Sequence, residues 1–173
     1  GLGWRLSAGG QITRIVKGKP DEFEGGAQPF LVNTVTGFDL AYPTHDGEAD
    51  IFYYEIPGYS GIFVCDSQGK PWTIPYQPNL KIEWINQSYF IITDANGTVY
   101  RFGIKDTSRE TTEYFVAEQN TDPDNVSESS KIWYVSSWCL DDITSSQGAQ
   151  VKFSYITGAA ETTKTDKRIY RYE

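Results

Sequence analysis

The sequence contains no methionine, few leucines and a single histidine, His45. Leucine and methionine are among the strongest helix formers, so their scarcity weakens any interpretation as a helical bundle. The 173 residues instead include 12 Tyr, 9 Phe and 5 Trp, side chains that fit the half-buried surface of a β-sheet. The chain is long enough for one domain with a sizeable core. Composition therefore predicts a single β-rich domain over residues 1–173.

Cysteine is also scarce. The only two, Cys65 and Cys139, each lie in an apolar, strand-like run, and the sequence has no CxxC motif. With one histidine, this leaves no recognisable set of zinc ligands, and we expect neither a metal nor another cofactor. We expect two buried thiols that pack as small hydrophobic groups. The sequence leaves open whether they form a disulfide.

Basic residues are missing from a long stretch of the chain. Residues 21–66 carry nine acids and no lysine or arginine, and the net charge is −8. An acidic surface repels phosphate backbones, so we expect no nucleic-acid partner. No apolar run is long enough to suggest a membrane span, and no signal peptide is visible. Because the chain begins and ends within strand-like motifs, we expect it to be a piece of a longer protein.

Short alternating runs separated by polar turns predict an antiparallel all-β fold, either a sandwich or a strongly curved sheet. Residues 3–7 and 11–17 are expected to form an entry hairpin, and Asn96-Gly97 is the strongest other hairpin signal. Residues 18–49 are rich in Gly, Pro and acids and predict an irregular segment, with at most a short helix near 29–40. The remaining predicted strands are 51–56, 59–65, 72–74, 80–85, 89–93, 98–102, 111–118, 132–140 and 150–155.

Two groups of acidic residues are candidates for glycosidase carboxylates. That chemistry needs two carboxyl groups about 5–9 Å apart across a cleft of sugar size, whereas the sequence shows proximity in number only. We therefore expect solvated loop acids and assign no catalytic residue. His45 lacks a triad motif, and residues 122–125 lack the full calcium-loop pattern. The acids are Asp46, Glu48, Asp50 and Glu55 in the first group, and Asp141 and Asp142 in the second.

Several aromatic residues lie on short strands or beside turns, where their rings could stack on sugars. Packing in the core or against a neighbouring domain is the competing use of the same residues. Carbohydrate binding is therefore the alternative function that the sequence suggests. The candidate sugar-stacking residues are Trp72, Trp84, Tyr76, Tyr89 and Trp133.

Segments in order along most of the chain resemble the N-terminal region that precedes the repeats in bacterial RHS/YD-repeat proteins, especially those of Bacteroides-like bacteria. The opening is also distantly similar to the start of insecticidal toxin-complex B subunits. The matching segments are GLGWRLSAGG (1–10), DGEADIFYY (46–54), GYSGIF (58–63), LKIE (80–83), SSWCL (136–140) and GAQVKFSY (148–155).

The resemblance implies an extracellular or cell-surface protein whose YD repeats wind a β-sheet into a hollow shell, which can enclose a C-terminal passenger domain. This chain would be a non-catalytic structural module that starts or caps the shell and contacts the following YD repeats. A cap has a physical purpose, because an open sheet edge invites aggregation. This hypothesis expects Trp4 in the core, and an exposed apolar patch where neighbouring parts of the longer protein would pack.

Overall fold

The computed structural model describes residues 9–17, 20–21, 49–66, 68–115 and 131–156. Within these ranges nearly all regular structure is β, which confirms the predicted all-β class. A single 3₁₀ turn, Asp106–Ser108, precedes β8. The strands are β1 Gln11–Ile15, β2 Ile51–Ile56, β3 Tyr59–Cys65, β4 Pro71–Ile74, β5 Lys81–Ile85, β6 Tyr89–Thr93, β7 Val99–Phe102, β8 Arg109–Phe115, β9 Lys131–Thr144 and β10 Gln150–Lys152.

Most predicted strands agree with the structure to within two residues. Two exceptions lie near the end of the described chain, where β9 continues to Thr144 and β10 stops at Lys152 instead of reaching residue 155. The strand predicted at 111–118 begins at Arg109 and is described as far as Phe115, and 116–118 lie outside the described residues. Beyond β10 the chain leaves the ladder, although the amide of Phe153 still donates to the carbonyl of Asp141 and the Tyr155 hydroxyl donates to the carbonyl of Leu140.

All ten strands belong to one antiparallel sheet, in which eight follow the order β4-β3-β2-β1-β9-β7-β6-β5 and β8 and β10 each pair with β9. The 14-residue strand β9 holds it together. It pairs with β8 along residues 131–138, with β1 at 137–139, with β7 at 140–144 and with β10 at 142–144. The sheet curls until it nearly closes on itself. Of the two predicted architectures, this is the strongly curved sheet.

The predicted entry hairpin needs correction. β1 forms where expected, but over residues 11–13 one edge pairs with β2 and the other with β9. No edge of that stretch remains for a strand at 3–7. The alternating pattern of β1 indicates which side chains are buried, but it carries no information about which strand lies alongside. Residues 3–7 themselves, with Trp4, lie outside the described residues, as does the predicted helix near 29–40.

The core is a cluster of aromatic rings contributed by both halves of the curled sheet. Phe52 of β2 stacks on Phe63 of β3 with ring centroids 4.9 Å apart, and Phe90 of β6 meets the Trp138 ring of β9 edge-on, also at 4.9 Å. Phe63 and Phe90 lie 5.5 Å apart across the interior. These contacts join the two halves of the curled sheet across its interior. The side chains with no exposed surface also include Ile12, Ile92, Phe102 and Leu140.

Three hairpins share one turn. In each, a residue with a short polar side chain is followed three positions later by a glycine with positive φ, and the glycine amide donates to the carbonyl of the first residue. This is the geometry of a type I turn followed by a glycine bulge. The hairpin predicted at Asn96-Gly97 is therefore confirmed. Its turn is not the predicted two-residue turn with positive φ at both positions, because Gly97 has positive φ and Asn96 does not. The turns begin at Asp66, Asp94 and Ser145 and contain Gly69, Gly97 and Gly148.

Gly103, which follows β7, is the glycine that the core depends on most. Its φ is +68°, and a Cβ there would lie 2.2 Å from Cδ1 of Trp138. Gly103→Ala should lower the free energy of unfolding by about 2–3 kcal/mol, because left-handed backbone strain adds to displacement of the indole. Urea denaturation measures the loss.

Gly58 provides the matched control, with φ +86° and no atom within 4 Å of the added Cβ. Gly58→Ala should cost only the backbone strain, about 1 kcal/mol. Equal losses for Gly58→Ala and Gly103→Ala would contradict the contact between Gly103 and the indole.

Candidate functional site

The five candidate sugar-stacking aromatics do not form one platform. Tyr76, Trp133 and Trp72 are 71%, 62% and 44% exposed. Trp72 lies on β4 and Trp133 on β9, with β3, β2 and β1 between them. Four strand spacings amount to about 19 Å along the sheet, so Trp133 cannot share a small ligand with Trp72. Tyr89 is half-buried at the start of β6.

Trp84 is a correction among these candidates. Its ring stacks on Phe90 at 5.2 Å and also contacts Phe52 and Trp138, so it packs against the core. Lys81 and Glu83 alternate with Ile82 and Trp84 along β5, and this alternation was the signal that could have placed Trp84 on the inner face.

The first group of acidic residues does not form a pair of catalytic carboxylates where it is described. Asp50 is buried and accepts from Arg14 of β1, with 2.7 Å between Nε and Oδ2 and a second, shorter contact from the same guanidinium. Glu55, in contrast, is exposed on the outer face of β2. Asp46 and Glu48 lie outside the described residues. The one buried acid of this group is therefore committed to an arginine.

Asp50 is also the centre of a hydrogen-bond network with Lys17 and Asp21. It accepts from the backbone amides of Lys17 and Asp21, while its own amide donates to the Asp21 carboxylate at 3.0 Å. Burial raises the pKa of Asp50, although the charge of Arg14 and the amide hydrogen bonds act to lower it. The network therefore joins Lys17 and Asp21 to Asp50, which directly precedes β2.

Asp141 and Asp142 follow each other at a bulge of β9, where Arg101 lies opposite Asp142 and Phe102 opposite Leu140, and their side chains have different partners. Asp141 is buried and accepts from the amide of Ile104 at 2.6 Å and from the Ser108 hydroxyl at 2.9 Å, which fixes the bend between β7 and β8. Asp142 pairs with Arg101 of β7 at 2.6 Å. Both carboxylates therefore stabilise the sheet and do not face each other across a cleft.

The Asp66 carboxylate stabilises its hairpin turn by accepting three hydrogen bonds. Its Oδ1 accepts from the amides of Gln68 and Lys70, and Oδ2 accepts from the Trp72 indole at 3.1 Å. Partial burial acts to raise the pKa of this carboxyl, but the hydrogen bonds from Trp72, Lys70 and Gln68 outweigh it, so the pKa lies below its usual value.

The Trp72 indole proton gives a direct measurement of this lowered pKa. Its NMR shift should titrate with a midpoint below the usual value for aspartate. Because the folded-state pKa is depressed, the stability that Asp66 contributes is present above the unfolded-state pKa and is lost as pH falls through the folded-state value. In Asp66→Asn the indole shift should no longer titrate. A midpoint at or above the ordinary aspartate value would contradict these hydrogen bonds.

A shallow pocket opens on the outer face of β1, β2 and β3, and it was not predicted from the sequence. Its side chains form two rows across the strands, fixed by the register of the pairs. Tyr53, at the centre of one row, is 46% exposed. The first row is Thr13, Tyr53 and Ile62, the second is Gln11, Glu55 and Ser60, and Tyr54 and Gly61 complete the lining.

Cys65 and Cys139 are both free thiols; Cys65 is buried as expected, whereas Cys139 is half-buried. Burial raises the pKa of both. Over the described ranges, no three His, Cys, Asp or Glu side chains are grouped so as to hold a metal ion. His45 and residues 122–125 lie outside those ranges.

In the part of the chain that the structure describes, no helix has the length and apolar character needed to cross a membrane. Comparison with protein-family models, with curated proteins and with solved structures finds no match to this chain. Its function must therefore be argued from the fold and from the surfaces described above.

Proposed function

We propose that this chain is a non-catalytic structural module that starts or caps the β-shell of an RHS/YD-repeat protein, secreted or attached to the cell surface. The observation that carries the proposal is the outer surface of the sheet, where large apolar side chains lie exposed. A sheet surrounded only by solvent alternates apolar inner and polar outer residues, and a contiguous apolar patch marks a contact surface. On β4 the exposed Trp72 and Ile74 lie two residues apart on this surface, and Ile15, Val151 and Ile156 are exposed elsewhere.

The open ends of the sheet add support. β4 and β5 end the strand order and approach each other where the sheet nearly closes, whereas β8 and β10 pair only with β9 within the described residues. Unpaired edges accept further strands. The shared turn at Asp66, Asp94 and Ser145 also suits a protein that extends a sheet by adding similar hairpins. The partners in this proposal are the YD repeats that follow in the same chain and, through them, a passenger domain.

The proposal is tested by the gene beyond Glu173 and by hydrogen exchange on the longer protein. We expect Tyr-Asp repeats after Glu173. Amides of β4 and β10 should exchange more slowly in the longer protein than in this chain, whereas amides of the central strand β2 should change little. A reading frame without such repeats, or unchanged exchange at both strands, would overturn the proposal.

Carbohydrate binding is the second candidate, favoured by the exposure of Trp72 and Tyr76 around edge strand β4. Lys70 packs over the Trp72 ring, with Nζ 4.4 Å from the centroid, so one face of that ring is already occupied. A glycan array probed with this chain and with Trp72→Ala tests the candidate. Binding that Trp72→Ala abolishes without unfolding would support it, and a uniformly negative array would remove it.

A further inference from the structure

The pocket on β1, β2 and β3 has the chemistry of a saccharide site. One row offers the ring of Tyr53 between two smaller side chains, and the other offers an amide, a carboxylate and a hydroxyl from Gln11, Glu55 and Ser60. A sugar presents an apolar C–H face and a rim of hydroxyl groups, so it needs an aromatic surface beside donors and acceptors. The two rows provide both kinds of group side by side.

The strands place these groups in advance. Gln11 lies opposite Glu55 and Glu55 lies opposite Ser60, so the three polar side chains are cross-strand neighbours. Cβ atoms at such positions are about 4.5–5.5 Å apart. Gln11 is held further by its amide, which donates to the Ser137 hydroxyl of β9 at 2.5 Å. Its carbonyl oxygen keeps its acceptor capacity for a ligand. The backbone positions of all three groups and the side chain of Gln11 are therefore set before a ligand binds, which favours affinity.

Charge selects the class of sugar. Glu55 is the charged side chain in the pocket lining, and the whole chain carries a net charge of −8. Phosphorylated sugars, uronic acids and sialic acids would meet repulsion, both from this carboxylate and from the surrounding field. A carboxylate accepts strong hydrogen bonds from neutral hydroxyl groups. The pocket therefore favours an uncharged saccharide.

We propose that this pocket binds a neutral mono- or disaccharide unit, with Tyr53 against its C–H face and Gln11, Glu55 and Ser60 bonded to its hydroxyl groups. The inference goes beyond the structural role proposed above and does not depend on it. It also differs from the edge-strand candidate, because Trp72 and Tyr76 are not part of the pocket lining.

The test is a ¹⁵N NMR titration of this chain with cellobiose, maltose, lactose, mannobiose and N,N′-diacetylchitobiose, each to about 20 mM, since single-sugar sites bind near the millimolar range. At least one sugar should shift the amides of residues 11, 13, 53, 55 and 60 in a saturable way. Absence of saturable shifts at these residues with every sugar would overturn the proposal.

Variants decide whether the pocket is responsible. Tyr53→Ala should weaken binding roughly tenfold while Tyr53→Phe retains it, because the ring face supplies the contact. Tyr76→Ala is the matched control, since Tyr76 is exposed outside the pocket, and it should leave affinity unchanged. A dispersed spectrum of Tyr53→Ala verifies that it is folded. Affinity lost in Trp72→Ala or Tyr76→Ala but kept in Tyr53→Ala would overturn this pocket and favour the edge strand.

Self-association is another use of an exposed aromatic on a sheet face. It is checked by recording the spectrum without sugar over a range of protein concentrations. Shifts of the pocket amides that follow protein concentration, combined with no response to any sugar, would overturn the proposal in favour of a second copy of this chain. Pocket shifts that depend on sugar but not on protein concentration support it.

Discussion

Replacing Trp138 with alanine is expected to lower the free energy of unfolding by about 3–5 kcal/mol, the range for truncating a buried aromatic in a packed core. The indole is 1% exposed and meets Phe90 edge-on and Phe52 at 6.0 Å. Its Nε1 donates to the carbonyl of Ser88 at 2.8 Å. The substitution therefore leaves a cavity where the two halves of the curled sheet meet. It also leaves the Ser88 carbonyl without this donor.

The same strand offers the control for this substitution. Trp133 lies five residues before Trp138 on β9 and is largely exposed, so Trp133→Ala should change the free energy of unfolding by no more than about 0.5 kcal/mol. Trp138→Phe separates packing from the hydrogen bond and should cost less than Trp138→Ala. Urea denaturation followed by circular dichroism measures all three. A loss below about 1 kcal/mol for Trp138→Ala would show that the core does not depend on this ring.

The sequence was most informative where one strand follows another through a short turn. Pro57-Gly58 marks the turn between β2 and β3, and the positions of both strands followed directly from it. Alternation along β1 correctly separated the face of Ile12 and Arg14 from that of Thr13 and Ile15. These predictions succeed because local backbone geometry and a period of two residues determine them.

Pairing between distant segments could not be predicted in the same way. β1 lies between β2 and β9, which are separated from it along the sequence by residues 16–50 and 16–130. No turn links these strands directly, so nothing local fixes their register. The pocket around Tyr53 depends on that register, because Gln11 and Thr13 come from β1 and the rest of the lining from β2 and β3. The individual residues were visible in the sequence, but their juxtaposition was not.

Arg14 and Asp50 show the same limit, and they carry the second large effect. An arginine on the buried side of a strand demands a partner, but the sequence between them gives no reason to choose Asp50. The two side chains are fully buried, and Arg14 also lies over the rings of Phe52 at 5.4 Å and Tyr134 at 5.6 Å. The Arg14 guanidinium thus lies against aromatic rings of the core and pairs with the Asp50 carboxylate.

Arg14→Met should lower the free energy of unfolding by about 3–5 kcal/mol, because removing one partner leaves the other charge buried without compensation. Burial already raises the pKa of Asp50, and loss of the guanidinium raises it further. A carboxyl with a raised folded-state pKa destabilises the fold above that pKa, and the penalty disappears as pH falls through it. The deficit of Arg14→Met relative to the unmodified chain should therefore shrink on acidification.

A double-mutant cycle isolates the pair. Arg14→Met combined with Asp50→Leu removes both charges. The double substitution should cost less than the sum of the single substitutions, because the side chains at positions 14 and 50 are then both uncharged. Lys81→Met is the control, because the Lys81–Glu83 pair on β5 is exposed and should contribute no more than about 0.5 kcal/mol. Additive losses at positions 14 and 50, with no pH dependence in Arg14→Met, would mean that the pair does not act as a unit. Coupling would instead show that Arg14 and Asp50 stabilise the fold as one buried ion pair, linking the inner face of β1 to the residue that directly precedes β2.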